Sequence, residues 1–385
     1  MFRYYFKEAV KIPVEVSMAG SRVQRISRFV RINVGSTSIA VDRTNCKLSA
    51  LSSIQKIYSY FRGSSNQYSS KGMGTLPQMY LLGFLGLFKK EEEETIEDKI
   101  LMTIKRAILA IQREDFAKAE RFLNKAFRMS EEEKLEDAKT QIIDIQANLC
   151  LQKGELIQAE KLFKLVAQRL VGQKKAEPTD NSVVEISIKL AEIYKLVGRL
   201  EDSATGFQYC VDTQKEKIEK QGDEDENTLL LAAWALHGLA QLNIGIATAG
   251  GAQKKQIEGC LLLVTDAYKY AVRAVGADSQ QALAILSDMA TTYALLGDVD
   301  NALKTVEECA EIAKDKYEAL YATLKVNAGN LFLQKGNYNE AEKVCKEASV
   351  VANRAKDTDS FARALECVKR AYYRIRMADH NTMKT

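Results

Sequence analysis

The feature that most restricts how this 385-residue chain can fold is a set of small residues held at fixed spacing around glycines. The stretch LQKGELIQAEKLFK, residues 151–164, returns as LQKGNYNEAEKVCK at residues 333–346, and related punctuation occurs in LVGRLEDSA and LLGDVDNAL. Gly154, Gly198, Gly297 and Gly336 each precede a small residue by five positions: Ala159, Ser203, Ala302 and Ala341. Another small residue lies twelve positions before that one, at Ala147, Ala191, Ala290 and Gly329, and seven positions after it stand Val166, Cys210, Cys309 and Ala348. Ala107, Ala119 and Ala126 keep the same spacing without a glycine. Antiparallel helices approach closely only where the side chains at their crossing are small. The chain reverses within a few residues when the first helix ends in a left-handed residue, usually glycine. The pattern predicts a row of helical hairpins, with Phe163, Tyr194, Phe207, Tyr293 and Phe332 filling the space beside the small residues. With prolines only at positions 13, 77 and 178, nothing breaks a helix over most of the body.

This spacing resembles the tetratricopeptide repeat pattern, most clearly in Leu190, Ala191, Tyr194, Gly198, Ser203, Phe207 and Cys210. The resemblance implies an all-α, right-handed superhelical array of hairpins. The period departs from the family's usual 34 residues: Ala107 to Ala147 is 40, Ala147 to Ala191 is 44 and Ala290 to Gly329 is 39. Lengthened repeats are therefore expected, six of them from about Lys99 to Lys356. One degenerate unit carries Trp234 and Gly238 on its first helix and Cys260, Val264 and Ala267 on its second, with IATAGGAQKK as an inserted linker. A C-terminal capping helix, DTDSFARALECVKRAYYRIRM, is expected to start at Asp357 or Asp359.

The chain's charge is unevenly placed. Residues 1–90 hold 14 Lys or Arg against Glu8, Glu15 and Asp42, which leaves 41 basic and 48 acidic residues for the rest. The basic, Ser-rich head over residues 1–71 has the composition of a mitochondrial transit segment. In RVQRISRFVRINV, a helix would gather Val23, Ile26, Phe29, Val30 and Val34 on one side and Arg25, Arg28 and Arg31 on the other. An uncharged stretch follows at residues 72–88, about 25 Å long as a helix against about 30 Å of bilayer hydrocarbon, so residues 72–90 are expected to form a short membrane anchor. Basic residues before it and Glu91 to Glu94 after it point the body toward the intermembrane space of the mitochondrion. Four segments result: 1–71, 72–90, a repeat body over 91–356, and the cap and tail over 357–385.

Reactive groups are sparse. The two histidines are His237 and His380, and His237 is expected to be a packing or surface residue. The phosphate-binding glycine motifs and calcium-loop spacing do not occur, so neither an enzyme, a cofactor nor a metal site is expected. The seven cysteines show no paired spacing, which suggests a reducing or neutral compartment. Cys210, Cys260, Cys309 and Cys345 are expected to pack as small hydrophobes. A hairpin array offers a concave face built from its first helices. Its candidate partner-binding residues are Asp144, Asn148, Ile188, Glu192, Lys195, Asn327, Asn330 and Gln334.

Residues 182–220, with AEKLFKLVAQRLVG and LSDMATTYALLGDVDNAL, are similar to the mitochondrial tetratricopeptide repeat protein 19 family over roughly residues 91–355. The resemblance implies a non-catalytic factor of the mitochondrial inner membrane. Such a factor supports assembly and upkeep of respiratory complex III and helps clear fragments of its Rieske iron–sulfur subunit. Its implied partners are complex III, the Rieske subunit or its fragments, and the membrane, with no nucleic acid and no small-molecule substrate. Two other readings stay open on the residues alone: a soluble scaffold resembling kinesin light chains, and a mitochondrial RNA-binding helical-repeat protein. The net negative body opposes the second, since phosphate binding needs cations.

Overall fold

The computed structural model describes residues 95–173, 176–221, 225–249 and 254–382, together with 32–34 and 37–39. Thirteen α-helices lie among these residues. Helices α1 (Ile96–Gln112), α2 (Phe116–Glu132), α3 (Glu136–Lys153) and α4 (Leu156–Gln173) belong to a first compact unit. A second unit contains α5 (Asn181–Leu196), α6 (Leu200–Gln221), α7 (Glu226–Ala249), α8 (Lys254–Val275), α9 (Gln280–Leu295), α10 (Val299–Ala313), α11 (Glu318–Lys335), α12 (Tyr338–Arg354) and α13 (Thr358–Thr382). The second unit also holds two short antiparallel strands, β1 (Ile32–Val34) and β2 (Thr37–Ile39), paired Ile32 to Ile39 and Val34 to Thr37. The sequence pattern puts Val34 on the apolar side of a basic helix; it stands instead in β1, where β-branched Ile32 and Val34 suit extended backbone. The other residues of that basic segment, and the apolar stretch 72–88, lie outside the described residues.

The small-residue spacing corresponds to helix crossings. Ala107, Ala119, Ala126, Ala147, Ala159, Ser203, Cys210, Ala302, Cys309, Ala341 and Ala348 are fully buried. The Ser203 hydroxyl donates to the Ala191 carbonyl across its crossing at 2.8 Å, which satisfies a hydroxyl placed where only a small side chain fits. The helix ends repeat one geometry. At Gly154 and Gly336 the backbone is left-handed, with φ of 77° and 83°, and the next residue's amide reaches back to the carbonyl five positions earlier: Glu155 to Cys150 and Asn337 to Phe332, both 2.9 Å. This is the Schellman closure of a helix C-terminus. The same bond closes α1, α2 and α12, at 2.9, 2.8 and 2.9 Å, where the left-handed residues are Glu114, Lys134 and Lys356.

The widest part of the array, between Ala191 and Ala290, is built from long helices. α6, α7 and α8 have 22, 24 and 22 residues. Residues 246–249 of the expected linker complete α7, Lys254 and Lys255 open α8, and 250–253 lie outside the described residues. Helix α7 is apolar and long enough to cross a membrane by composition, yet its apolar window is two-thirds buried inside the protein, so it serves as the core helix of its unit. Gly238 lets it pack there. A Cβ on Gly238 would lie 2.3 Å from the ring of Phe207, so glycine is what allows α6 and α7 to touch.

Lysines retained in the repeated LQKG letters join successive hairpins. Lys153 at the end of α3 reaches Glu120 of α2 at 2.5 Å, and Lys335 at the end of α11 reaches Asp300 of α10 at 2.6 Å. The Asp357 side chain caps α13 by accepting from the Ser360 amide at 3.1 Å. Helices α12 and α13 are also joined covalently by a disulfide between Cys345 and Cys367. Cys345 is fully buried, as expected of a packing position, but as half of a disulfide and not as a free thiol.

Candidate binding face

In the second unit the first helix of each hairpin lies beside the first helix of the next, and half-buried polar side chains are linked from one to another across five helices. On α5, Glu192 pairs with Lys195 at 2.7 Å. The Lys195 ammonium donates to Gln241 Oε1 of α7 at 3.0 Å, and Gln241 Nε2 donates to Asp288 Oδ2 of α9 at 2.7 Å. His237 of α7 donates through Nε2 to the same Asp288 oxygen, also at 2.7 Å. Beside Asp288, Ser287 Oγ accepts from Asn327 Nδ2 of α11 at 3.5 Å. Arg363 of α13 donates to Asn327 Oδ1 at 2.9 Å, and Arg370 to Asn330 Oδ1 at 3.3 Å. The result is a polar thread running from α5 to α13.

The thread joins four of the eight residues proposed from sequence, Glu192, Lys195, Asn327 and Asn330. Gln334 is exposed one turn beyond Asn330 on α11. Ile188 is buried in the apolar core of the second unit, so it offers no surface. The other two residues, Asp144 and Asn148, lie in the first unit. Asn148 is only 3% exposed, and its amide is committed to Asp144, at 2.7 Å to the carbonyl and 3.2 Å to the carboxylate. Sequence reasoning missed Gln241, Asp288, Arg363 and Arg370; His237 is buried, in keeping with its reading as a packing or surface residue, and also bonds Asp288. The available signal was the spacing of Trp234, His237 and Gln241, which places all three on one side of α7.

The electrostatics of the thread favour recognition over chemistry. Burial raises the Asp288 pKa, but hydrogen bonds from His237 and Gln241, with the nearby charge of Lys195, outweigh it and hold the carboxyl below its ordinary 3.8. Asp288 is thus a fixed anion facing amide and cationic donors. Gln241 and Asn327 use both amide atoms inside the thread, whereas the exposed Gln334 amide carries a donor and an acceptor of the kind that reads a polypeptide backbone. The thiols are poor nucleophiles: burial pushes Cys150 up to about 11 and Cys309 up to about 12, so both stay protonated near neutral pH.

No protein-family model matches the chain. It is 30% identical over 279 residues to the tetratricopeptide repeat protein 19 homolog, mitochondrial, of Drosophila melanogaster, covering 72% of this chain and 73% of that protein. It is 28% identical over 312 residues to tetratricopeptide repeat protein 19, mitochondrial, of Homo sapiens, covering 74% and 80%. Among solved structures, the apo form of RapI superposes with a TM-score of 0.52 at 11% identity, covering 86% of this chain and 87% of that one. That likeness concerns the fold alone.

Proposed function

Because this chain belongs to the mitochondrial tetratricopeptide repeat protein 19 family, we propose that it is a non-catalytic factor of the mitochondrial inner membrane. In this reading it binds respiratory complex III, supports its assembly and maintenance, and holds fragments of the Rieske subunit for clearance by a separate protease. Residues 1–71 direct import and residues 72–88 anchor the chain. The repeat body faces the intermembrane space, a placement supported by the Cys345–Cys367 disulfide, since such bonds persist where thiols are oxidised.

The observation that carries the binding role is the polar thread from Glu192 to Arg370. Half-buried amides and charges laid across the first helices of successive hairpins suit an extended polypeptide better than a compact ligand. Charge supports the same choice, because import presequences are Arg-rich and the body after residue 90 is net negative. The test is a titration of the full chain into a fluorescently labelled Rieske presequence fragment. Saturable binding, weakened several-fold by Glu192→Lys, is expected; no binding to the fragment at any concentration would remove this role while leaving the fold untouched.

A further inference from the structure

Helix α13 carries a second surface, on the side away from the disulfide. Its buried side is Ser360, Ala364, Cys367 and Ala371, packed toward the preceding helices. After Ala371 every residue whose side chain is described, apart from half-buried Ile375, is exposed, so the end of this 25-residue helix projects past its packing partners. That projecting end is apolar and basic together. Tyr372 is 45% exposed, Tyr373 58% and Met377 68%, and Leu365 continues the stripe one helical repeat earlier at 48%. Lys369, Arg374 and Arg376 lie among them, with no acidic residue between Glu366 and Asp379, while Arg370 is turned to Asn330 in the thread. The Arg376 guanidinium sits over the Tyr372 ring, 5.2 Å from its centroid, and the two tyrosines meet edge to face.

We propose that this outer stripe of α13 lies on an anionic phospholipid surface, giving the protein a membrane contact separate from the polar thread. A convex helix face offers no cleft for a peptide, but it fits a plane. Tyrosines suit the headgroup boundary, where a ring is buried and a hydroxyl stays wet, and basic side chains beside them reach outward to lipid phosphates. Lys369, Arg374 and Arg376, with no acid among residues 367–378, complement a negative leaflet.

The full chain with Tyr373→Trp tests this in vesicles carrying brominated acyl chains, with the native Trp234 signal of the unsubstituted chain subtracted. Quenching of the introduced indole is expected in vesicles containing phosphatidylglycerol, not in pure phosphatidylcholine, and high salt should reverse it. Adding Lys369→Gln and Arg376→Gln should lower the ratio of lipid-seated to free helix, read from the quenching, by roughly thirty-fold, from the usual contribution of a basic residue at an anionic surface. Equal quenching in both lipids, or none in either, overturns the proposal. A shift of the introduced indole's emission with poly-glutamate but not with vesicles also overturns it, in favour of an acidic polypeptide. So does a concentration-dependent shift without lipid, in favour of a second copy.

Discussion

The Cys345 sulfur lies 2.0 Å from the point where a Cβ on Gly329 would stand, and the Cys367 sulfur lies 3.0 Å from it. Three helices, α11, α12 and α13, therefore meet at a place that only glycine leaves open for the disulfide. Gly329→Ala should force the sulfurs or α11 aside, destabilising the C-terminal hairpin by about 1–3 kcal/mol, as overpacking does in a dense core. Thermal melting with thiol titration checks it. An unchanged melt with the bond intact would show that the helices are not packed this tightly.

The bond itself closes a 22-residue separation. Peptide mapping without reductant should recover Cys345 linked to Cys367, and Cys367→Ser should cost about 3 kcal/mol in the loop-entropy account of a cross-link of this size. Recovery of both as free thiols from protein purified out of mitochondria would also weaken the case for an oxidising compartment.

Asp288→Ala removes the carboxylate to which His237 and Gln241 both donate, and should cost about 1.5–3 kcal/mol, the usual range for hydrogen bonds to a charged group. The pH dependence has a definite sign. The folded carboxyl titrates below 3.8, so its stabilisation is fully present above that value and is lost as pH falls through the lower folded value. Denaturant melts of the two proteins should therefore differ at pH 7 and converge in acid. A gap that widens on acidification would contradict the arrangement.

Glu114 stands in a left-handed conformation, φ 59°, where its Cβ crowds the backbone. Glu114→Gly should raise stability by about 1 kcal/mol or less, the relief of strain being partly offset by the greater freedom of glycine in the unfolded chain. A lowered melting temperature would mean that the Glu114 side chain contributes more than its backbone costs.

That residue also marks a boundary of what can be read from letters. Glycine announces a helix end, so the turns at Gly154, Gly198, Gly297 and Gly336 were legible, and the small residues around them located the crossings. Glu114, Lys134 and Lys356 close helices with the same backbone bond but without a glycine to signal it. The disulfide was invisible for a related reason: a 22-residue gap is no motif, and the pairing follows from α13 folding back over α12 beside Gly329. Half of the proposed binding residues lie in the thread, because helical spacing tells which side of a helix a residue occupies. It does not tell how deeply neighbouring helices cover that side, which is why Asn148 and Ile188 are buried. His237 found its partner 51 residues away, on α9, a separation that the spacing within one helix does not encode.

The central claim is that the body engages respiratory complex III, and a native gel of gently solubilised mitochondria carrying a C-terminally tagged full chain tests it most directly. The tag is predicted to co-migrate with complex III and to leave that position when the thread is broken by Glu192→Lys with Asn330→Ala. Migration only as a small free species, with complex III intact and fully active after the gene is removed, would contradict it.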